Sequence, residues 1–224
     1  MSNHRTKQLL VVHAGTSESA STKLLADKLA QSVFEDFKHD GTDLTVSYVS
    51  LKEMSDEIST AMISGLHGEK LQKATEQILA ADGIIAATPI YKAEASGLFS
   101  SFFHVLDRDL MIAKPVLLAA TAGSSRHSLV LDHQIRALFA YMRSLTAPTS
   151  VFAAPEDWNE KALDERVRRA ARELKVLIEV NFFEKIQGSS FGAYQRDFGG
   201  AGGTNTEVEL DSDLMRLATG GSLV

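Results

Sequence analysis

Apolar and polar positions along this chain repeat with two different periods. Nearly unbroken apolar runs at residues 9–12, 83–87 and 115–120 each stop abruptly in a loop of small, hydroxyl-bearing or proline residues. Such short runs, bounded by turn formers, predict strands buried on both faces. Residues 44–49 alternate in β-branched and aromatic side chains and predict a further strand, and residues 149–153 predict a fifth. The segments between them carry helical spacing. Leu24, Leu25, Leu29, Ala30, Val33, Phe34 and Phe37 mark the first helix, and Leu71, Ala74, Ile78 and Leu79 the next. Leu98, Phe99, Phe102, Phe103, Val105 and Leu106 mark a strongly apolar one. Leu129, Val130, Ile135, Leu138, Phe139 and Met142 mark a fourth, and a last helix over residues 159–185 carries Leu163, Val167, Ala170, Leu174, Leu177, Ile178 and Phe182. Residues 53–69 are less regular and read as a partly helical insertion.

Strands alternating with helices predict an α/β fold, a doubly wound five-stranded parallel sheet in the flavodoxin-like order 2-1-3-4-5. Helices that cover a parallel sheet are apolar on their inner side, so the phenylalanines are expected in the core rather than against a ligand. In such a sheet, ligands bind outside the carboxyl ends of the strands. The three abrupt loops therefore form the candidate site.

Composition narrows the chemistry. The chain has 224 residues, 23 basic and 29 acidic, for a formal charge of -6, with no Lys/Arg-rich stretch to attract nucleic acid. It has no cysteine, which removes disulfides, thiolate nucleophiles and thiolate metal sites, so redox chemistry needs a bound cofactor. Residues 1–7 lead into the first strand without a signal-peptide pattern, and no apolar run approaches a membrane span. The expected location is cytoplasmic, with no membrane partner. Histidines 13, 67, 104, 127 and 133 show no metal-ligand spacing, and Ser17, Ser124 and Ser125 lack the Gly-x-Ser-x-Gly elbow of a hydrolase. Composition changes at Gly188. Residues 188–224 hold 8 of the 15 glycines and an acidic stretch, and are expected to be a flexible tail after a domain over 1–187.

The first loop contains only Gly15, whereas a dinucleotide fingerprint needs three spaced glycines. It offers instead the hydroxyls of Thr16, Ser17, Ser19, Ser21 and Thr22, which suit a terminal phosphate monoester at a helix N-terminus. The same residue types are also favoured as plain helix caps. In the second loop Pro89 fixes its own φ and biases Thr88 toward extended backbone, at a sheet edge where a flat heterocycle can be read. Tyr91 is placed either to line that ring or to make a core or dimer contact. Gly123 in the third loop allows close approach of backbone to a ring, or serves an ordinary turn.

The block Thr88-Pro89-Ile90-Tyr91, five residues, then Gly97-Leu98-Phe99-Ser100-Ser101-Phe102-Phe103-His104-Val105-Leu106-Asp107, resembles the signature of the NAD(P)H-dependent FMN reductases. The resemblance continues through Ala120-Thr121-Ala122-Gly123-Ser124-Ser125-Arg126-His127-Ser128-Leu129 and covers residues 8–183. It is nearest to the branch that supplies reduced flavin to alkanesulfonate or luciferase-like monooxygenases. The resemblance implies that the first loop binds the FMN phosphate. It also implies that Pro89, Ile90, Tyr91 and Lys92 border the isoalloxazine, and that Thr121, Ala122, Gly123 and Ser124 contact its pyrimidine side. Many members carry an arginine in the first loop, where this chain reads Thr16-Ser17-Glu18-Ser19. His133 lies where related reductases carry an inserted residue associated with a π-bulge.

The function expected is reduction of FMN by NADPH or NADH, with FMNH2 passed to a partner flavin-dependent monooxygenase. No side chain is assigned as a catalytic acid or base. A quinone, azo-dye or metal-oxyanion reductase with retained FMN is the alternative, and a flavodoxin-like electron carrier a weaker one. A homodimer or homotetramer is expected, partly from the family and partly because Phe99, Phe102 and Phe103 exceed what one sheet face would cover. A chain ending at Gln187 is predicted to keep its melting temperature and FMN binding while coupled monooxygenase turnover or oligomer size changes. Unfolding on truncation would place the tail in the core, and no measurable change would make it inert.

Overall fold

The computed structural model describes residues 5–17 and 20–187. The expectations for Ser19 and for residues 188–224 fall outside the described residues. The first half runs β1 (Lys7–His13), α1 (Ser21–His39), β2 (Leu44–Ser50), α2 (Ser55–Ser64), α3 (Glu69–Ala80) and β3 (Gly83–Tyr91). A two-residue β4 (Glu94–Ala95) precedes α4 (Gly97–Val105) and β5 (Pro115–Thr121). A π-helical turn (Leu131–Ile135) leads into α5 (Arg136–Tyr141), and β6 (Leu145–Thr146), β7 (Val151–Ala153), α6 (Lys161–Glu179) and α7 (Phe182–Gln187) follow.

The sheet is ordered β2-β1-β3-β5, with β6 and β7 both parallel to β5. This is the expected flavodoxin-like order, with the fifth strand in two pieces. Pro148 between them has no N–H to give to a ladder. The polar groups of the break are met by side chains. Arg136 donates to Thr146 Oγ1 at 2.9 Å and to the carbonyls of Ala147 and Pro148, and the Thr149 amide donates to Glu173 at 2.6 Å.

Three further departures have local causes. The segment Thr88 to Tyr91, read as a loop, continues β3 and turns back onto β4 through Lys92 and Ala93 at φ 50° and 66°. Two successive positive φ values match the right-handed twist of a tight hairpin. The long last helix ends at Glu179, because Asn181 adopts a left-handed φ of 48° before α7. Leu24, Leu79 and Leu129 are exposed, so the apolar stripes were wider than the faces they bury.

Side chains divide the core by strand parity. Leu9, Val11, Ile85, Ala87, Leu117 and Ala119 pack under α1 and α6, while Leu10, Val12, Ile84, Ala86, Val116 and Leu118 pack on the opposite face. On that second face the rings of Phe99, Phe103 and Phe139 interlock, with centroids 4.8 Å apart for Phe99–Phe103 and for Phe103–Phe139. Phe99 and Phe102 are fully buried within the chain, and Phe103 nearly so. The core assignment of these residues holds, but they leave no apolar face uncovered. The argument for oligomerisation from this cluster therefore fails.

Gly83 opens β3 directly beneath α6. A Cβ there would lie 2.5 Å from Ile178 Cδ1 and 2.7 Å from Cγ1. Gly83→Ala should lower unfolding stability by about 1–3 kcal/mol. Pairing it with Ile178→Val should recover part of the loss, as read by denaturant midpoint.

Candidate active site

The three loops meet in one open cleft of about 470 Å³ at the carboxyl end of the sheet, within the range typical of small-ligand sites. Its lining includes Thr16, Ser17, Ser21 and Thr22 from the first loop and α1, and Pro89, Ile90 and Tyr91 from β3. Thr121, Ala122 and Gly123 line the third side. Ten of the expected residues are thus brought together. Two are not in the lining. Lys92 sits exposed at the hairpin turn, and the Ser124 hydroxyl accepts from the Arg126 amide at 3.5 Å to cap a single turn. Gly15 and Ala20 also line the cleft, small residues with no side-chain chemistry to mark them in the sequence.

The first loop ends at α1, whose N-cap is Ala20. No side chain caps the helix and no acidic residue stands in its first turn. The first amides of a helix lack intrahelical acceptors and carry the positive end of the helix dipole. An uncapped N-terminus with no carboxylate in its first turn, beside the hydroxyls of Thr16, Ser17 and Ser21, fits a phosphate monoester. The neighbouring cation, Lys23, is committed to Asp27 at 2.7 Å.

Two hydroxyl pairs fix the walls. Thr22 Oγ1 and Thr121 Oγ1 lie 2.7 Å apart and are buried, which ties α1 to the end of β5. Thr22 therefore positions the cleft more than it faces it. On the opposite side Thr88 Oγ1 donates to the Pro89 carbonyl at 3.0 Å and accepts from the Ser96 amide at 3.1 Å. Ser96 Oγ then accepts from the Phe99 amide at 3.3 Å and so caps α4. The hairpin bearing Pro89, Ile90 and Tyr91 is held at its base by this network. At its tip, Gln134 of the π-helical turn donates to the Ala93 carbonyl at 3.2 Å. The π turn includes His133, which is exposed.

Gly123 needs no left-handed φ, and a Cβ there would meet nothing within 4 Å. Neither a left-handed φ nor packing demands glycine here, so the backbone lies open to the cleft. Pro89, Ile90 and a half-exposed Tyr91 bound the other side of that slot. The hydroxyl-and-amide cradle and the ring-sized slot together fit FMN. Among the described residues no cluster of His, Asp or Glu could hold a metal ion.

Comparison with known proteins agrees. The model of the family described as NADPH-dependent FMN reductase matches residues 8–159. The chain belongs to the NADPH-dependent FMN reductase family. It is 40% identical over 124 residues to the NADH-dependent FMN reductase SfnE of Pseudomonas putida, covering 51% of this chain and 67% of that protein. It is 30% identical over 169 residues to an FMN reductase (NADPH) of Pseudomonas aeruginosa, covering 73% and 88%. Among solved structures, an oxidoreductase from Corynebacterium diphtheriae superposes with a TM-score of 0.76 at 41% identity, covering 79% of this chain and 98% of that one. The apo form of the NADH:FMN oxidoreductase EMOB gives 0.67 at 25% identity, covering 76% and 89%. This FMN reductase is accordingly an NAD(P)H:FMN oxidoreductase with FMN and NAD(P)H as its small molecules. Among its described residues, no helix is long and apolar enough to cross a membrane.

One buried group escaped the list of expected site residues. His13 ends β1 directly behind the first loop, and its Nδ1 is buried without a hydrogen-bond partner. Its signal was a lone polar residue closing an apolar strand. Replacing Ser17 and Ser21 with alanine should weaken FMN at least about tenfold, the scale of one hydrogen bond to a charged group. Riboflavin should be nearly unaffected, as read by flavin fluorescence quenching. Thr22 is a poor target, since its buried hydroxyl ties α1 to the end of β5.

Proposed function

We propose that this FMN reductase binds FMN as a substrate, reduces it with NAD(P)H and releases FMNH2 to a separate flavin-dependent monooxygenase. The observation that carries this reading is the openness of the cleft. Its one aromatic wall residue, Tyr91, is 55% exposed. Among the described residues, no second ring faces it across the cleft to hold a flavin between aromatic planes. The similarity to SfnE, itself named an NADH-dependent FMN reductase, supports the flavin-as-substrate role.

Bound FMN supplies the hydride-accepting ring. The protein's own residues position it. The α1 amides and the hydroxyls of Thr16, Ser17 and Ser21 take the phosphate, and Pro89, Ile90 and Tyr91 border the isoalloxazine. The Thr121, Ala122 and Gly123 backbone approaches the pyrimidine edge, while Lys92 and Ser124 stand at the margins. Among the described residues, none in the cleft is placed as a proton donor or acceptor for the transfer. Orientation and partial exclusion of water carry the rate. A second subunit, in a homodimer or a dimer of dimers, would cover the open side near Tyr91 and limit water there.

Steady-state NADPH and NADH oxidation with titrated FMN should saturate with FMN as the varied substrate, and the product should support turnover of a flavin-dependent monooxygenase. If oxidation instead runs with quinone and needs no added flavin, the enzyme retains FMN and the quinone-reductase alternative stands. A monomer by light scattering with full activity would remove the covering subunit.

A further inference from the structure

His13 occupies an unusual position for an ionisable side chain. It follows Leu9 and Val11 in strand parity and so faces α1, and it is only 5% exposed. A Cβ built on Gly15 would lie 3.5 Å from His13 Nδ1 and 3.5 Å from the Lys23 amide nitrogen in the first turn of α1. The unpartnered imidazole nitrogen and the amides of the uncapped helix therefore converge behind the same loop. Buried polar atoms are nearly always hydrogen-bonded, so an orphan beside a binding loop calls for an explanation.

We infer that His13 is the proton-linked counter-charge of the phosphate loop: it is neutral in the free enzyme and takes up a proton when a phosphate monoester dianion binds at the N-terminus of α1. This rests on the phosphate assignment made above and adds a specificity-determining residue to it. The loop has no arginine, so among the described residues the dianion meets only neutral donors and a helix dipole. An imidazolium beneath Gly15 supplies the missing positive charge, and it does so only when the anion is present.

The surroundings set the sign. Burial, and then the Lys23 ammonium, hold His13 below the ordinary histidine value, while Asp27 and Glu53 oppose this more weakly. These groups face it from α1 and from the single turn after β2, and Tyr48 stands on β2 beside Lys23 and Asp27. In the free enzyme His13 is thus uncharged at neutral pH. A bound dianion raises its proton affinity, so FMN binding consumes a proton and tightens as pH falls from 8 toward 6.5. The limit is about tenfold per pH unit for one full proton. Below about pH 6 protonation of the phosphate itself opposes the effect.

The test compares FMN with riboflavin on the full chain. Titration calorimetry at pH 7.5 in two buffers of different ionisation enthalpy should show uptake approaching one proton for FMN and none for riboflavin. The ratio of FMN to riboflavin affinity should rise at least about fivefold between pH 8 and 6.5. In His13→Gln that slope should vanish, with FMN weakened toward riboflavin. An unchanged slope in His13→Gln, or equal proton uptake with both flavins, overturns the inference. Should His13→Gln fail to fold, the imidazole resonances of the wild-type chain with and without FMN decide the same point. His13 staying neutral in the FMN complex at pH 7 overturns it. Equal affinity for FMN and riboflavin at every pH would instead overturn the phosphate assignment, a different failure with a different readout.

Discussion

The parallel register of the three central strands is the constraint on which the rest depends. His13 at the end of β1 pairs with Ala87 of β3, Ala87 with Ala119 of β5, and Pro89 with Thr121. Strands in parallel register deliver their carboxyl ends to one edge, so the chain leaves all three at nearly the same level. Loops separated by many residues then share a single rim. Register is enforced by burial on both faces: Leu10, Val12, Ile84, Ala86, Val116 and Leu118 must meet one helical layer, and Leu9, Val11, Ile85, Ala87, Leu117 and Ala119 the other. A one-residue slip would exchange every member of one set with the other.

A shared rim alone does not make a cleft with fixed walls. The walls are set by short polar contacts buried where the strands end. The Thr22–Thr121 pair links the two loops on one side, and Thr88 with Ser96 locks the hairpin to α4 on the other. Because these hydroxyls are spent on structure, the groups left to meet a ligand are the α1 amides, the remaining hydroxyls and bare backbone. Such a surface favours a ligand with a phosphate at one end and a flat hydrogen-bonding ring at the other.

Charge in this site is placed with economy. The half-exposed lysine beside the phosphate loop, Lys23, is held by Asp27, and a buried lysine lies at the opposite end of the sheet. There Lys114 donates to the carbonyls of Leu79 and Ala81 at 2.6 and 2.7 Å, and burial lowers its pKa to about 8. Its role is to satisfy chain ends at the foot of β5. Among the described residues, the lining of the cleft thus carries no permanent positive charge.

The sequence by itself determined the class of fold, the strand order and which three junctions form the site. Those rest on periodicity and on strands long and apolar enough to need cover on both faces, and both are local properties of the chain. It also determined the family, because the block around Pro89 and Gly97 is a contiguous pattern. Only the tertiary structure decided which contacts the residues around the site make. Thr22 reads as one more loop hydroxyl until β5 brings Thr121 within 2.7 Å of it. Thr88 to Tyr91 reads as loop until Ala95 pairs back onto Ile90, and Leu145 and Thr146, outside the fifth strand expected over 149–153, show as strand only when they pair with β5. The phenylalanines of α4 look too many for one sheet face until Phe139, from a helix on the other side of β5 in sequence, packs among them. His13 is one of several unremarkable histidines in the sequence. It stands out only when three strands and a helix close around it and leave one nitrogen without a partner. In each case the deciding contact joins residues far apart in the chain, so no local pattern could carry it.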